Sequence, residues 1–162
     1  MSPDRLLWDL NSSESSEWGD SYREKVVISL VDDDESVRSA LKRLIKSVGL
    51  KVSEFASAED FLNFATPSEA ACMVLDLRLP GMSGLELQAR LLAANCQIPI
   101  VFISAHDDGQ ARAQALAAGA IDFLQKPFSE KALFDAINSA LFIQNRGASK
   151  SLEDRIAAAR RG

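Results

Sequence analysis

Apolar residues along this chain gather in short β-branched runs that alternate with stretches of helical period. Val26-Val27-Ile28-Ser29-Leu30-Val31 is such a run, of the kind that forms a strand buried on both faces, and it stops at Asp32, Asp33 and Asp34. Val37, Ala40, Leu41, Leu44, Ile45 and Val48 then recur at i, i+3, i+4, i+7, i+8 and i+11, which predicts an amphipathic helix closed by Gly49. The unit repeats. A strand is expected at Lys51–Phe55, a helix opened by Ser57 with Asp60 in capping-box position, and a strand at Ala71–Asp76. Ser83 and Glu86 open a further helix to about Ala94, followed by a strand at Pro99–Ile103 and a helix at Gln110–Ala118 ended by Gly119. A fifth strand is expected at Ile121–Leu124, and Ser129 caps a last helix to about Ile143. Strands alternating with helices predict an α/β fold: a doubly wound, five-stranded parallel sheet with helices on both faces, reached by right-handed crossovers.

The ends of the chain differ in texture. Residues 1–24 are rich in Ser and Glu, especially from Asn11 to Ser21, and predict a disordered extension, with Leu6, Leu7, Trp8 and Leu10 as an alternative partner-binding patch. Beyond Asn145, Gly147 and Ala148 interrupt the pattern, and Ser151 with Asp154 opens a short basic-ended helix through Arg161. With 162 residues and 47% hydrophobic composition, one domain with a proper core is expected, spanning 25–144, with 145–162 as a linker. A formal charge of -5 argues against direct nucleic-acid binding, which needs clustered Lys and Arg. No apolar stretch approaches the roughly 20 residues needed to span a bilayer, and the N-terminus lacks the pattern of a secretion signal, so no membrane association and a cytoplasmic location are expected. Cys72 and Cys96 have neither metal-type spacing nor a disulfide framework and read as a buried thiol and a loop thiol.

Four separated pieces deliver five polar groups to the carboxyl ends of the expected strands, where open α/β sheets place their sites. Asp32 and Asp33 leave the first strand, Asp76 ends the third, Ser104 ends the fourth, and Lys126 with Pro127 follows the fifth. Carboxylates about 4 Å apart repel by about 4 kcal/mol per pair at an effective dielectric of about 20, so such a cluster calls for a cation. Oxygen-only donors favour Mg2+, with Mn2+ as the alternative, over zinc. The ammonium of Lys126 suits phosphoryl oxygens as a point charge.

The segments Val31–Arg38, Leu75–Gly84, Ile103–His106 and Asp122–Phe128 resemble the receiver domain of two-component response regulators, of the FixJ type, over about Lys25 to Ile143. The resemblance implies a flavodoxin-like strand order 2-1-3-4-5. It implies Asp76 as the phosphoacceptor, with a sensor histidine kinase as donor. It further implies metal binding by Asp33, Asp76 and the Arg78 carbonyl, with Asp32 acting through water. Ser104 would donate to the phosphoryl group in concert with Phe123, the Lys126 ammonium, aimed inward by a cis bond to Pro127, would pair with it, and His106 and Arg78 would flank it. Readout would pass through the fourth helix, fifth strand and fifth helix, where Ala111, Ala113, Ala115, Ala117 and Ala118 favour close packing in a phosphorylation-dependent homodimer or on a partner.

Each position has a plainer reading. The aspartate triplet can serve as a helix cap, as Asp34 is expected to; Asp76 can be a turn carboxylate and Lys126 a solvated lysine. His106 can be a surface histidine without a role, and Phe123 plain core. At the level of the whole protein, FixJ-type regulators continue into a helix-turn-helix output domain. The alternatives are therefore a receiver cut from a transcriptional regulator, or a single-domain receiver acting by protein contact. A haloacid-dehalogenase-type phosphatase also phosphorylates an aspartate, but carries a second Asp two residues on, where this chain has Arg78. Self-catalysed phosphoryl transfer and slow loss of phosphate are expected, without turnover of external substrates.

Overall fold

The computed structural model describes residues 26–66 and 69–143. The expectations for residues 1–24 and 145–162 lie outside them. The described elements are β1 (Val27–Val31), α1 (Glu35–Lys46), β2 (Lys51–Phe55), α2 (Ala58–Phe64), β3 (Ala70–Asp76), α3 (Gly84–Ala93), β4 (Ile100–Ser104), α4 (Gly109–Ala117), β5 (Asp122–Gln125) and a last helix α5 over 130–143. The five strands form one parallel sheet in the order β2-β1-β3-β4-β5, as the resemblance implied.

Strand periodicity divides the core in two. On one face Ile28, Leu30, Cys72, Val74, Val101 and Ile103 meet Leu41 and Ile45 of α1 and Leu133, Ile137 and Leu141 of α5. On the other, Val31, Met73, Leu75, Phe102 and Phe123 meet Phe61 of α2, Leu87 and Leu91 of α3, and Ala111 and Ala115 of α4. Burial on both faces explains why the central strands read as unbroken apolar runs. It also fixes the Cys72 thiol in the core, where loss of solvent pushes its pKa up to about 12.

The caps expected from sequence are made. Ser57, Ser83 and Ser129 accept from the main-chain N–H of Asp60, Glu86 and Ala132, each three residues on. Asp34 caps α1 through the N–H groups of Ser36 and Val37. Gly49 and Gly119 take positive φ of 89° and 104° just past α1 and α4, the left-handed conformation that stops a helix. Strand boundaries shift by about one residue: β4 starts after Pro99, whose carbonyl still accepts from Met73 N–H, and ends on Ser104. The α4 alanines do not share one face. Ala111 and Ala115, four apart, are buried, whereas Ala113 and Ala117 join Leu116 on the exposed side. No helix among the described residues is long and apolar enough to cross a membrane.

Candidate functional site

The sheet order sets the three central strand ends side by side. Asp32 and Asp33 follow β1, and Asp76 closes the adjacent β3. Their carboxylates each offer an oxygen within 4.8 Å of the others. Asp32 is wholly buried, Asp76 nearly so, and Asp33 is exposed, which leaves the group open on one side.

Asp32 is anchored at every polar atom. Its N–H donates to the Phe55 carbonyl at 3.1 Å, and its own carbonyl accepts from Arg38 Nη1 at 2.7 Å. Oδ1 accepts from the Asp34 N–H at 2.9 Å, and Oδ2 from Lys126 Nζ at 3.1 Å. Asp76 is held more loosely. Its Oδ1 accepts from the Arg78 N–H at 3.1 Å, and its Oδ2 lies 3.5 Å from Lys126 Nζ. Lys126 therefore bridges both buried aspartates and sits nearer Asp32, a preference that spacing along the chain does not reveal. The peptide joining it to Pro127 is cis, as the resemblance implied.

Burial holds the Asp76 carboxyl above the ordinary range; Lys126 and the Arg78 N–H pull it down, while the neighbouring charges of Asp32 and Asp33 push it further up. A dry carboxylate facing two others, with oxygen donors and no thiol or imidazole in the cluster, fits a hard divalent cation of the Mg2+ type.

Asp32, Asp33, Asp76 and Lys126 thus converge. The remaining expected residues are placed around them. Ser104 is buried at the end of β4, but its hydroxyl turns into its own loop, accepting from the His106 N–H at 3.1 Å and donating to the His106 carbonyl at 3.2 Å. The Phe123 ring is buried and stacks on Phe102 with centroids 6.2 Å apart. His106 is exposed, and the Arg78 side chain reaches outward to Asp108 at 3.3 Å.

Four positions escaped the sequence reading. Arg38 fixes the Asp32 carbonyl while its Nε pairs with Glu54. Glu59, in the first turn of α2, accepts from the Met82 N–H at 3.2 Å and so ties down the loop after β3. Gly84 lets α3 start against the end of β3: a Cβ there would lie 2.6 Å from the Asp76 carbonyl oxygen. Asp108 caps α4 while holding Arg78. Asp108 carried a local signal, a carboxylate at a helix start; the others act through contacts that the helical and strand periods do not encode.

A sequence profile described as the response regulator receiver domain matches residues 28–138. Nodulation protein W of Bradyrhizobium diazoefficiens is 45% identical over 116 residues, covering 72% of this chain and 51% of that protein. Response regulator protein TmoT of Ectopseudomonas mendocina is 49% identical over 115 residues, 71% of this chain and 52% of its own. The chain spans about half the length of these curated relatives. Among solved structures, response regulator StyR superposes with a TM-score of 0.76 at 45% identity, covering 83% of this chain and 68% of its own. FixJ-N gives a TM-score of 0.66 at 38% identity, covering 72% and 93%. With its flavodoxin-like strand order and acidic strand ends, the chain belongs to the response regulator receiver domain family.

Proposed function

We propose that this domain is a phosphorylation-activated switch that accepts a phosphoryl group on Asp76 from a sensor histidine kinase. The observation that carries this reading is the convergence of three carboxylates within 4.8 Å, two of them bridged by Lys126. An oxygen of Asp76 forms the bond to phosphorus as the bond to the donor breaks, and the donor leaves with its electron pair. The Arg78 N–H fixes the orientation of the Asp76 carboxylate, and Lys126 is placed to meet the phosphoryl oxygens. Asp33, Asp76 and the Arg78 carbonyl would hold Mg2+, or Mn2+, with Asp32 in support through water. The cation supplies the charge neutralisation that lets two anions approach. Ser104 completes the switch by turning its hydroxyl from its own loop toward the phosphoryl group, a movement that Phe123 accommodates. Pro127 aims Lys126, while His106 and Arg78 border the site.

Residues 25–144 form the receiver, and 145–162 lead to an output domain of a longer transcriptional regulator. The support is that the related regulators are about twice as long as the match. The exposed side of α4, with Ala113, Leu116 and Ala117, is the face offered to a second copy or a partner on phosphorylation. Gel filtration is expected to show a larger species with a phosphoryl mimic and Mg2+ than without; an unchanged elution volume counts against that face.

The central test is incubation with acetyl phosphate and Mg2+ followed by intact mass. One phosphoryl adduct is expected on the parent and none on Asp76→Asn. An adduct that survives the substitution removes Asp76 from the role. Steady turnover of an aryl phosphate would move the protein to the phosphatase class, against the presence of Arg78 two residues after Asp76.

A further inference from the structure

We propose that Asp108 is a positioning residue for the phosphoryl site: it holds the Arg78 guanidinium away from Asp76, and thereby sets how readily the site takes up a phosphoryl group and how long it keeps one. The inference rests on Asp76 as the phosphoacceptor.

Asp108 uses both carboxylate oxygens. Oδ1 accepts from the Ala111 N–H at 3.0 Å and caps α4, while Oδ2 accepts from Arg78 Nη2 at 3.3 Å. Arg78 is tied at its other end to the site itself, since its N–H donates to Asp76 Oδ1 at 3.1 Å. The guanidinium is thus attached beside the phosphoacceptor and parked on a carboxylate 30 residues along the chain.

The pair is easily exchanged. The Arg78 side chain is 59% exposed and that of Asp108 32%, and ion pairs so open to water are weak and screened. A phosphoryl group on Asp76 brings more negative charge than one carboxylate, together with three acceptor oxygens. A guanidinium meets such oxygens with parallel N–H bonds. Arg78 needs only to rotate about its own side chain to make that exchange. Once there it covers the phosphorus against water, whose attack breaks the P–O bond to Asp76 and releases inorganic phosphate. Asp108 competes with the phosphoryl group for the same guanidinium. Loss of Arg78 from Asp108 also changes the charge at the start of α4, and so carries the event to that helix.

Asp108→Asn separates this role from capping, because Asn caps as well as Asp but pairs weakly with a guanidinium. With acetyl phosphate and Mg2+, Asp108→Asn is expected to lower the half-saturating phosphodonor concentration and lengthen the phosphoryl half-life, each by about threefold, the scale of an exposed ion pair. Its melting temperature should fall only by the loss of one exposed ion pair, whereas Asp108→Ala, which loses the cap as well, should melt lower still. In an Arg78→Ala background, Asp108→Asn should change neither quantity. Parent-like kinetics in Asp108→Asn, or a kinetic effect that persists without Arg78, overturns the proposal while leaving Asp76 as acceptor. Absence of any adduct on the parent overturns both readings.

Discussion

At the carboxyl edge of the sheet, Asp32 and Asp76 hold negative charge where burial makes it costly, beside the exposed Asp33, whereas Asp34, the next residue after Asp33, spends its charge on the start of α1. Asp34 is exposed and accepts from the Ser36 hydroxyl, the Val37 N–H and the Ser36 N–H, so its carboxyl is held below the ordinary range. Asp76 is buried and faces like charges, so its carboxyl is held above it. One residue type therefore supports the fold in one region and opposes it in the next. Charge that opposes the fold yet is kept in place by hydrogen bonds is a mark of a functional site.

Neutralising Asp76 sharpens this contrast most. Asp76→Asn is expected to abolish the phosphoryl adduct and, in protein stripped of divalent ions, to raise the melting temperature, because a desolvated charge is removed. A lower melting temperature would mean that the Lys126 pairing outweighs the desolvation. Adding Mg2+ should then favour the parent: ligand at a hundredfold over Kd stabilises by about 2.7 kcal/mol. Thermal melts of Asp33→Asn and Asp76→Asn should show much less of that gain. An equal Mg2+ shift in all three proteins would place the ion elsewhere.

Gly84→Ala probes the backbone that aims the pocket. The new methyl would press on the Asp76 carbonyl and the Phe102 ring, costing about 1–3 kcal/mol in a denaturant titration, with slower adduct formation. The smallest effect belongs to the supporting kind of carboxylate. Glu54 is held below its ordinary value by hydrogen bonds from Lys42 and Arg38. A carboxyl whose folded pKa is depressed contributes stability that is present above its unfolded pKa and lost as pH falls through the folded one. Glu54→Gln should therefore melt slightly below the parent at neutral pH and converge with it in acid. A gap that widens in acid would reverse the sign assigned to Glu54.

Much of this was legible along the chain, because local chemistry decides it. Ser57, Ser83, Ser129 and Asp34 cap helices through N–H groups two or three residues away, and Gly49 and Gly119 end helices through their own backbone freedom. The strand ends bearing Asp32, Asp76 and Ser104 followed from apolar runs that stop abruptly at polar residues. The α4 alanines were harder: composition counted them together, and only packing showed that Ala111 and Ala115 fill the core while Ala113 and Ala117 face out. Nor could spacing tell which aspartate Lys126 prefers, where the Ser104 hydroxyl points, or that Asp108 reaches Arg78. The first and the last depend on which loops the strand order makes neighbours; the Ser104 hydroxyl is set by the turn of its own loop.

By itself the sequence determined the alternation of strands and helices, the caps that bound them, and the presence of acidic, hydroxyl and ammonium groups at strand ends. Hydrophobic period and hydrogen bonds within a few residues suffice for those. Only the tertiary structure decided that Asp32 is saturated by donors while Asp76 is buried beside like charges with a longer contact to Lys126. Burial and electrostatics are summed over residues from every strand end, and that sum exists only once the sheet has assembled.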